Sequence, residues 1–213
     1  MQIAVIDYKA GNLRNVQKAI ESLGVESKVI SKFDDLEKFD GIILPGVGNF
    51  KSGMDSLNNS GLSEAIISQA KDSKKPLMGI CLGMHLLAES GEEGGCIEGL
   101  GLLPMKVKQF DMHNKQEKMP HMGWNSIFPK KKSVLLDNVP NESDFYFAHS
   151  YHVVLDDEKI SVATCQYAYP FVAAIESDNI FAVQFHPEKS QRFGYLVLKN
   201  FITYCSNSNK YPC

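Results

Sequence analysis

The feature that most restricts the fold of this chain is the run Pro76-Leu77-Met78-Gly79-Ile80-Cys81-Leu82-Gly83-Met84-His85-Leu86-Leu87. An apolar, strand-like stretch passes through Gly-x-Cys-x-Gly directly into a helical pattern. A strand that feeds a helix this abruptly belongs to a parallel, doubly wound sheet flanked by helices. Gly79 and Gly83 leave room for the turn, and Cys81 is carried above the carboxyl edge of the sheet, the usual ligand site of such folds. There the helix N-terminus and a nearby imidazolium are expected to favour the thiolate, the nucleophilic form. Outside such a turn a buried cysteine is ordinarily a small core residue.

The preceding segments agree with that architecture. Ile3-Ala4-Val5-Ile6 reads as a strand, and Leu13, Val16, Ala19, Ile20 and Leu23 then recur at helical spacing until Gly24 closes the helix. Further strands are expected over 27–30, over 41–44 ending at Pro45, and over 76–80, with a helix over 62–70. After Leu103 the pattern becomes strand-like over 106–110, 145–155, 161–166, 171–175 and 180–185. The expected fold is therefore α/β: a doubly wound, mostly parallel sheet flanked by helices, with an antiparallel β-rich C-terminal portion at one edge. A last amphipathic helix carrying Phe193, Leu196, Val197, Asn200, Phe201 and Tyr204 packs back on the sheet. No linker or repeat divides the chain, so one domain over 1–213 is expected.

Charge and cysteine usage exclude several function classes. The formal charge of -3, from 22 basic and 25 acidic residues scattered along 213, gives no footprint for nucleic acid or an anionic membrane. Lys130-Lys131-Lys132 is the one basic run, and between Pro129 and Ser133 it reads as a solvated turn. No stretch of 18 apolar residues suggests a membrane span. The residues from Met1 to Asp7 lack a basic region, a long apolar run and a small-residue cleavage site, so no secretory signal is expected. Five cysteines (81, 96, 165, 205 and 213) at irregular spacing fit neither a disulfide framework nor a zinc site. No metal is expected, and a reducing cytoplasm is.

A second apolar run, Phe181-Ala182-Val183-Gln184-Phe185, ends in His186-Pro187-Glu188. Pro187 argues against a helix there and biases His186 to extended geometry, in which residues two apart point the same way. His186 and Glu188 are then side by side. A carboxylate on one ring nitrogen fixes the tautomer and leaves the other to exchange protons with Cys81. The remaining histidines have plainer readings: His113 in a loop, His121 and His149 beside aromatic or small residues, His152 on a strand.

Pro45-Gly46-Val47-Gly48 follows the third expected strand, and its glycines free backbone N–H groups to face a ligand. Val47 or Gly48, with the N–H of Leu82 after the nucleophile, is expected to hold a developing oxyanion. Lys51 stands where a dinucleotide fingerprint needs its third glycine, and no phosphate-loop Gly-Lys-Ser/Thr occurs, so no cofactor is expected.

Together these residues give a chain that closely resembles the class I, triad-type glutamine amidotransferases, and within them the family of glutaminase subunits of imidazole glycerol phosphate synthase. The likeness runs over essentially the whole length. It rests on Asp7-Tyr8 with Gly11-Asn12-Leu13, Leu44-Pro45-Gly46-Val47-Gly48, Gly79-Ile80-Cys81-Leu82-Gly83-Met84, Glu98-Gly99-Leu100-Gly101, Pro120-His121-Met122-Gly123-Trp124-Asn125, His149-Ser150-Tyr151 and His186-Pro187-Glu188-Lys189-Ser190. The resemblance implies that Cys81 attacks the glutamine carboxamide to form a glutamyl thioester, His186 acts as acid and then base, and Glu188 orients His186. It implies a glutamine pocket that includes Gly46, Gly48, His85, His149, Ser150 and Tyr151. Trp124, Tyr146 and Lys189 would face a partner, a (β/α)8-barrel cyclase that forms a heterodimer with this chain and receives the ammonia. Family members usually carry glutamine at the position of His85, and small residues at those of Lys9 and Asn49. The change at His85 implies altered glutamine affinity, and the three departures together keep open an acceptor other than the histidine-pathway cyclase, such as a synthase of surface-sugar biosynthesis. A partner-independent cysteine hydrolase on the same elbow and a non-catalytic binding module are the competing classes.

Overall fold

The structure, a computed structural model, describes residues 1–112 and 117–208. His113, read as a loop residue, lies outside them. In chain order the elements are β1 (Gln2–Ile6), α1 (Leu13–Ser22), β2 (Glu26–Ile30), β3 (Gly41–Gly46), α2 (Phe50–Asn59), α3 (Leu62–Lys71), β4 (Leu77–Cys81), α4 (Leu82–Leu86), β5 (Ser90–Gly91), β6 (Ile97–Glu98), β7 (Met105–Gln109), β8 (His121–Pro129), β9 (Ser143–His149), β10 (Tyr151–Leu155), β11 (Ser161–Tyr167), β12 (Tyr169–Ser177), β13 (Ile180–Val183) and α5 (Gln191–Ser208).

The main sheet has nine strands in the order β2-β1-β3-β4-β13-β12-β11-β8-β9. Its first four pairings are parallel and its last four antiparallel. The antiparallel part is thus half the sheet rather than one edge. A small sheet, β10-β7-β5-β6, lies beside it.

Strand alternation explains the layers. Ile3, Val5, Ile43, Met78 and Ile80 pack with α1 and α5 in one buried cluster, while Ala4, Ile6, Ile42, Leu44 and Leu77 pack with α2 and α3 in another. Covering both faces is why β3 and β4 are buried at every position and carry near-continuous apolar sequence. Each fully buried Leu, Ile or Phe contributes roughly 1.5–3 kcal/mol.

Four features differ from the sequence reading. Pro45 lies inside β3 rather than ending it, because the pairing with β1 stops at Ile43 and beyond that point only β4 is alongside. Helix α2 was not anticipated; Asn49 caps it by accepting from the Ser52 N–H at 3.2 Å. Strand β8 was also missed. The stretch over 145–155 is two strands, broken at Ser150, that belong to different sheets.

Candidate active site

Cys81 ends β4 with φ 53° and ψ -108°, a sparsely populated conformation for a residue with a side chain. Holding it there costs on the order of 1–3 kcal/mol. The neighbours leave little alternative. A Cβ at Gly79 would fall 2.8 Å from the Gly83 backbone, and one at Gly83 would fall 1.7 Å from the Leu44 carbonyl oxygen. The helix that follows is only five residues long, so its dipole supplies less than the sequence reading assumed. Cys81 Sγ lies 3.8 Å from the Ala148 carbonyl and 4.0 Å from the Gln184 amide nitrogen.

His186 Nδ1 lies 2.9 Å from Glu188 Oε1, with side chains 1% and 0% exposed. The contact forms for a different reason from the one read in the sequence. His186 is extended, but Pro187–Lys189 is a turn of 3-10 helix with proline at its start, a position where the ring's fixed φ is helical and its missing N–H is no loss. The His186 N–H donates to the Tyr146 carbonyl at 2.8 Å, and Ser190 Oγ donates to the His186 carbonyl at 2.6 Å. Asn12 Nδ2 donates to the same Glu188 oxygen that His186 uses. Among the described residues His186 Nε2 is buried without a partner in hydrogen-bonding geometry, as is Glu188 Oε2. Burial disfavours a charged His186, but the neighbouring charge of Cys81 and the hydrogen-bonded carboxylate of Glu188 outweigh it and push the pKa up to about 10. The imidazolium is the favoured form.

Cys81 faces a cavity of about 50 Å³ lined by Val47, Gly48, Leu82, His85, Glu93, Ala148, His149, Ser150 and Tyr151. Most of the residues singled out in the sequence therefore meet at one place. Gly46 sits behind it, paired with Cys81 across β3 and β4. This space is small beside an amino-acid side chain. A larger groove of about 420 Å³, around Lys132, Val134, Glu176 and Asn200, lies away from Cys81. The Val47 N–H, an expected oxyanion donor, is engaged elsewhere: it donates to the Ala10 carbonyl at 2.9 Å.

His85 Nε2 and Gln184 Oε1 are 2.8 Å apart, so His85 is the donor and carries its proton on Nε2. Burial pulls its pKa down to about 4 and keeps it neutral. His149 Nδ1 faces the Tyr151 carbonyl at 2.7 Å and must donate, so its Nε2 accepts from His121 Nδ1 at 3.0 Å. Burial lowers both, His121 to about 4. Glu93 lines the cavity and accepts from the Phe50 N–H at 2.7 Å; burial raises its pKa. Asn12, Glu93 and Gln184 were not assigned roles from sequence. Asn12 and Gln184 lie in stretches already singled out, whereas nothing marks Glu93 among the acidic residues.

Trp124, 49% exposed on β8, lies edge-on to Tyr146 with ring centroids 6.1 Å apart, and Lys189 Nζ is 5.3 Å from the Tyr146 centroid. These three form one patch, tied to the site because the Tyr146 carbonyl holds the His186 N–H. The lysine triplet is a surface turn, with Lys130 Nζ paired to Glu158 at 2.7 Å. Among the described residues no group of three or more His, Cys, Asp or Glu is arranged to hold a metal, and no helix is long and apolar enough to cross a membrane.

The model of the family Glutamine amidotransferase class-I matches residues 4–204. Imidazole glycerol phosphate synthase subunit HisH 1 of Campylobacter jejuni (strain RM1221) is 48% identical over 200 residues, covering 94% of this chain and 98% of that protein. Subunit HisH of Chlorobaculum tepidum is 45% identical over 200 residues, covering 93% and 98%. Among solved structures, a putative GMP synthase subunit from Thermoplasma acidophilum aligns with TM-score 0.76 at 21% identity, over 99% of this chain and 96% of that one. PurLQS from Thermotoga maritima aligns with TM-score 0.73 at 22% identity, over 95% and 98%. The chain belongs to the class I glutamine amidotransferases and, within that class, to the family of HisH subunits of imidazole glycerol phosphate synthase.

Proposed function

We propose that this chain is the glutaminase subunit of an imidazole glycerol phosphate synthase, a single-domain cytoplasmic protein that hydrolyses glutamine and passes the ammonia to a (β/α)8-barrel cyclase in a heterodimer. The observation that carries the reading is a cysteine at a strained strand-to-helix turn, on the strand paired with the one that leads into a buried histidine, which is itself held by a buried glutamate.

The Cys81 thiolate attacks the glutamine carboxamide carbon, and the carbonyl π electrons move onto oxygen. Leu82 N–H, with Val47 or Gly48 N–H, holds the oxyanion. His186 gives its Nε2 proton to the amide nitrogen, the C–N bond breaks, and ammonia leaves behind a γ-glutamyl thioester. Water then adds to the thioester as His186 Nε2 takes its proton, and the collapse releases glutamate and the thiolate. Glu188 accepts from Nδ1 throughout and keeps the ring oriented. Glu93 is the carboxylate that suits the α-ammonium of glutamine, and Ser150 and Tyr151 close the other wall with His149 behind them. His85 acts on the site through Gln184, in place of the glutamine usual in the family.

The Trp124, Tyr146 and Lys189 patch is the surface that meets the cyclase, which yields imidazole glycerol phosphate and an aminoimidazole carboxamide ribotide. The test is glutamate release by the purified chain mixed with the cyclase of the same organism and its nucleotide substrate. Coupled glutamate and imidazole glycerol phosphate formation, abolished by Cys81→Ala with folding retained, is the expected result. Glutamate release without product formation would reassign the acceptor, and activity surviving Cys81→Ala would remove the nucleophile.

A further inference from the structure

Tyr8 stands two residues beyond β1, 3% exposed, and its hydroxyl is buried without a hydrogen-bond partner among the described residues. Buried hydroxyls are nearly always paired, so an orphan in a close-packed wall calls for a state of the protein that satisfies it. The hydroxyl lies against the backbone of Gly46, since a Cβ there would fall 1.8 Å from the Tyr8 oxygen. Gly46 pairs with Cys81, and the charge of Cys81 adds to the burial that raises the Tyr8 pKa. Tyr8 is therefore a wall of the oxyanion strand, on the side away from solvent.

The peptide between Gly46 and Val47 is turned the wrong way for an oxyanion donor. Its N–H donates to the Ala10 carbonyl at 2.9 Å. A trans peptide is planar and carries its N–H and C=O on opposite sides. Turning the Val47 N–H toward Cys81 therefore swings the Gly46 carbonyl round toward the Ala10 carbonyl. Two acceptors then face each other in a buried space, which is unfavourable unless a donor enters between them. Tyr8 is two residues from Ala10, packs on Gly46, and has an unused O–H.

We propose that Tyr8 is a positioning residue for the oxyanion strand: its hydroxyl donates to the Gly46 carbonyl once the Gly46–Val47 peptide has turned, and so favours the competent conformation over the resting one. The inference rests on the glutaminase reading and names the group that balances the turn. It explains why the resting state carries an orphan hydroxyl, and why position 46 has no room for a side chain.

Tyr8→Phe removes the donor and keeps the ring. In the complex with the cyclase and its nucleotide substrate, kcat for glutamine hydrolysis is expected to fall roughly tenfold, equivalent to ~1.4 kcal/mol. The glutamine KM stays within about twofold. The melting temperature of the isolated variant is unchanged or raised, because the lost hydroxyl had no partner in the resting state. Unchanged kcat would overturn the inference alone. A fall in kcat matched by a lower melting temperature would also overturn it, because it would make Tyr8 a packing residue. A wild-type complex that releases no glutamate would overturn the glutaminase reading and this inference with it.

Discussion

The Val47 N–H donates to the Ala10 carbonyl at 2.9 Å, away from Cys81. With a small cavity of about 50 Å³ in front of the sulfur, this bond is what the proposed function makes a resting state, in which one oxyanion donor is withheld. A missing oxyanion donor costs roughly 10²–10³ in turnover. The isolated chain should therefore hydrolyse glutamine on the order of 10²-fold more slowly than its complex with the cyclase. Steady-state glutamate release with and without the partner measures this, and equal rates would contradict it.

On the proposed function, Cys81 keeps its strained backbone because a nucleophile is needed at that corner, and stability is given up for it. Cys81→Gly and Cys81→Ala both remove the thiol, but only glycine adopts φ 53° without penalty. Denaturation should find Cys81→Gly about 1–3 kcal/mol more stable than Cys81→Ala. Equal stabilities would mean that the turn is not strained.

Asn12 and His186 share one oxygen of Glu188. Removing the amide frees the carboxylate to rotate and loosens the histidine without touching substrate. Asn12→Ala should lower kcat by roughly 10-fold with little change in glutamine KM, while Glu188→Gln should cost about 10²–10⁴ because it disturbs the tautomer. An Asn12→Ala variant with wild-type kcat would show that Glu188 needs no second anchor.

Much of this was legible in the sequence because it is local. The Gly79-x-Cys81-x-Gly83 turn is specified within five residues, and the spacing of His186 and Glu188 by one proline. The β-rich half was less legible, because β8 draws its pairing from β9 and β11, and because β9 and β10 look continuous until Ser150 sends the chain into another sheet. The site's remaining members are long-range contacts. Asn12 reaches Glu188 across 176 positions and Gln184 reaches His85 across 99. No spacing encodes these, and the orientation of the Val47 peptide is a choice between two conformations of one sequence.

His85 and His121 are buried neutral, with pKa values pulled down to about 4. The unfolded chain binds their protons near pH 6.5, so the stability they carry is complete above that value and is lost as the pH falls toward 4. For His85, the more deeply buried of the two, this amounts to roughly 3 kcal/mol over this range. His85→Gln should flatten the acid arm of a stability profile by that order and shift the glutamine KM, since His85 holds Gln184 beside Cys81. A variant with unchanged acid sensitivity and unchanged glutamine affinity would refute this assignment.

Cys81 as the nucleophile of a glutamine pocket is the centre on which the other assignments depend. Exposure of the purified chain to a glutamine-like diazoketone, followed by peptide mapping by mass spectrometry with and without excess glutamine, tests it most directly. Labelling should be confined to Cys81, accelerated by the cyclase partner and suppressed by glutamine. Labelling spread over several cysteines and indifferent to glutamine, in the presence of the partner, would contradict it.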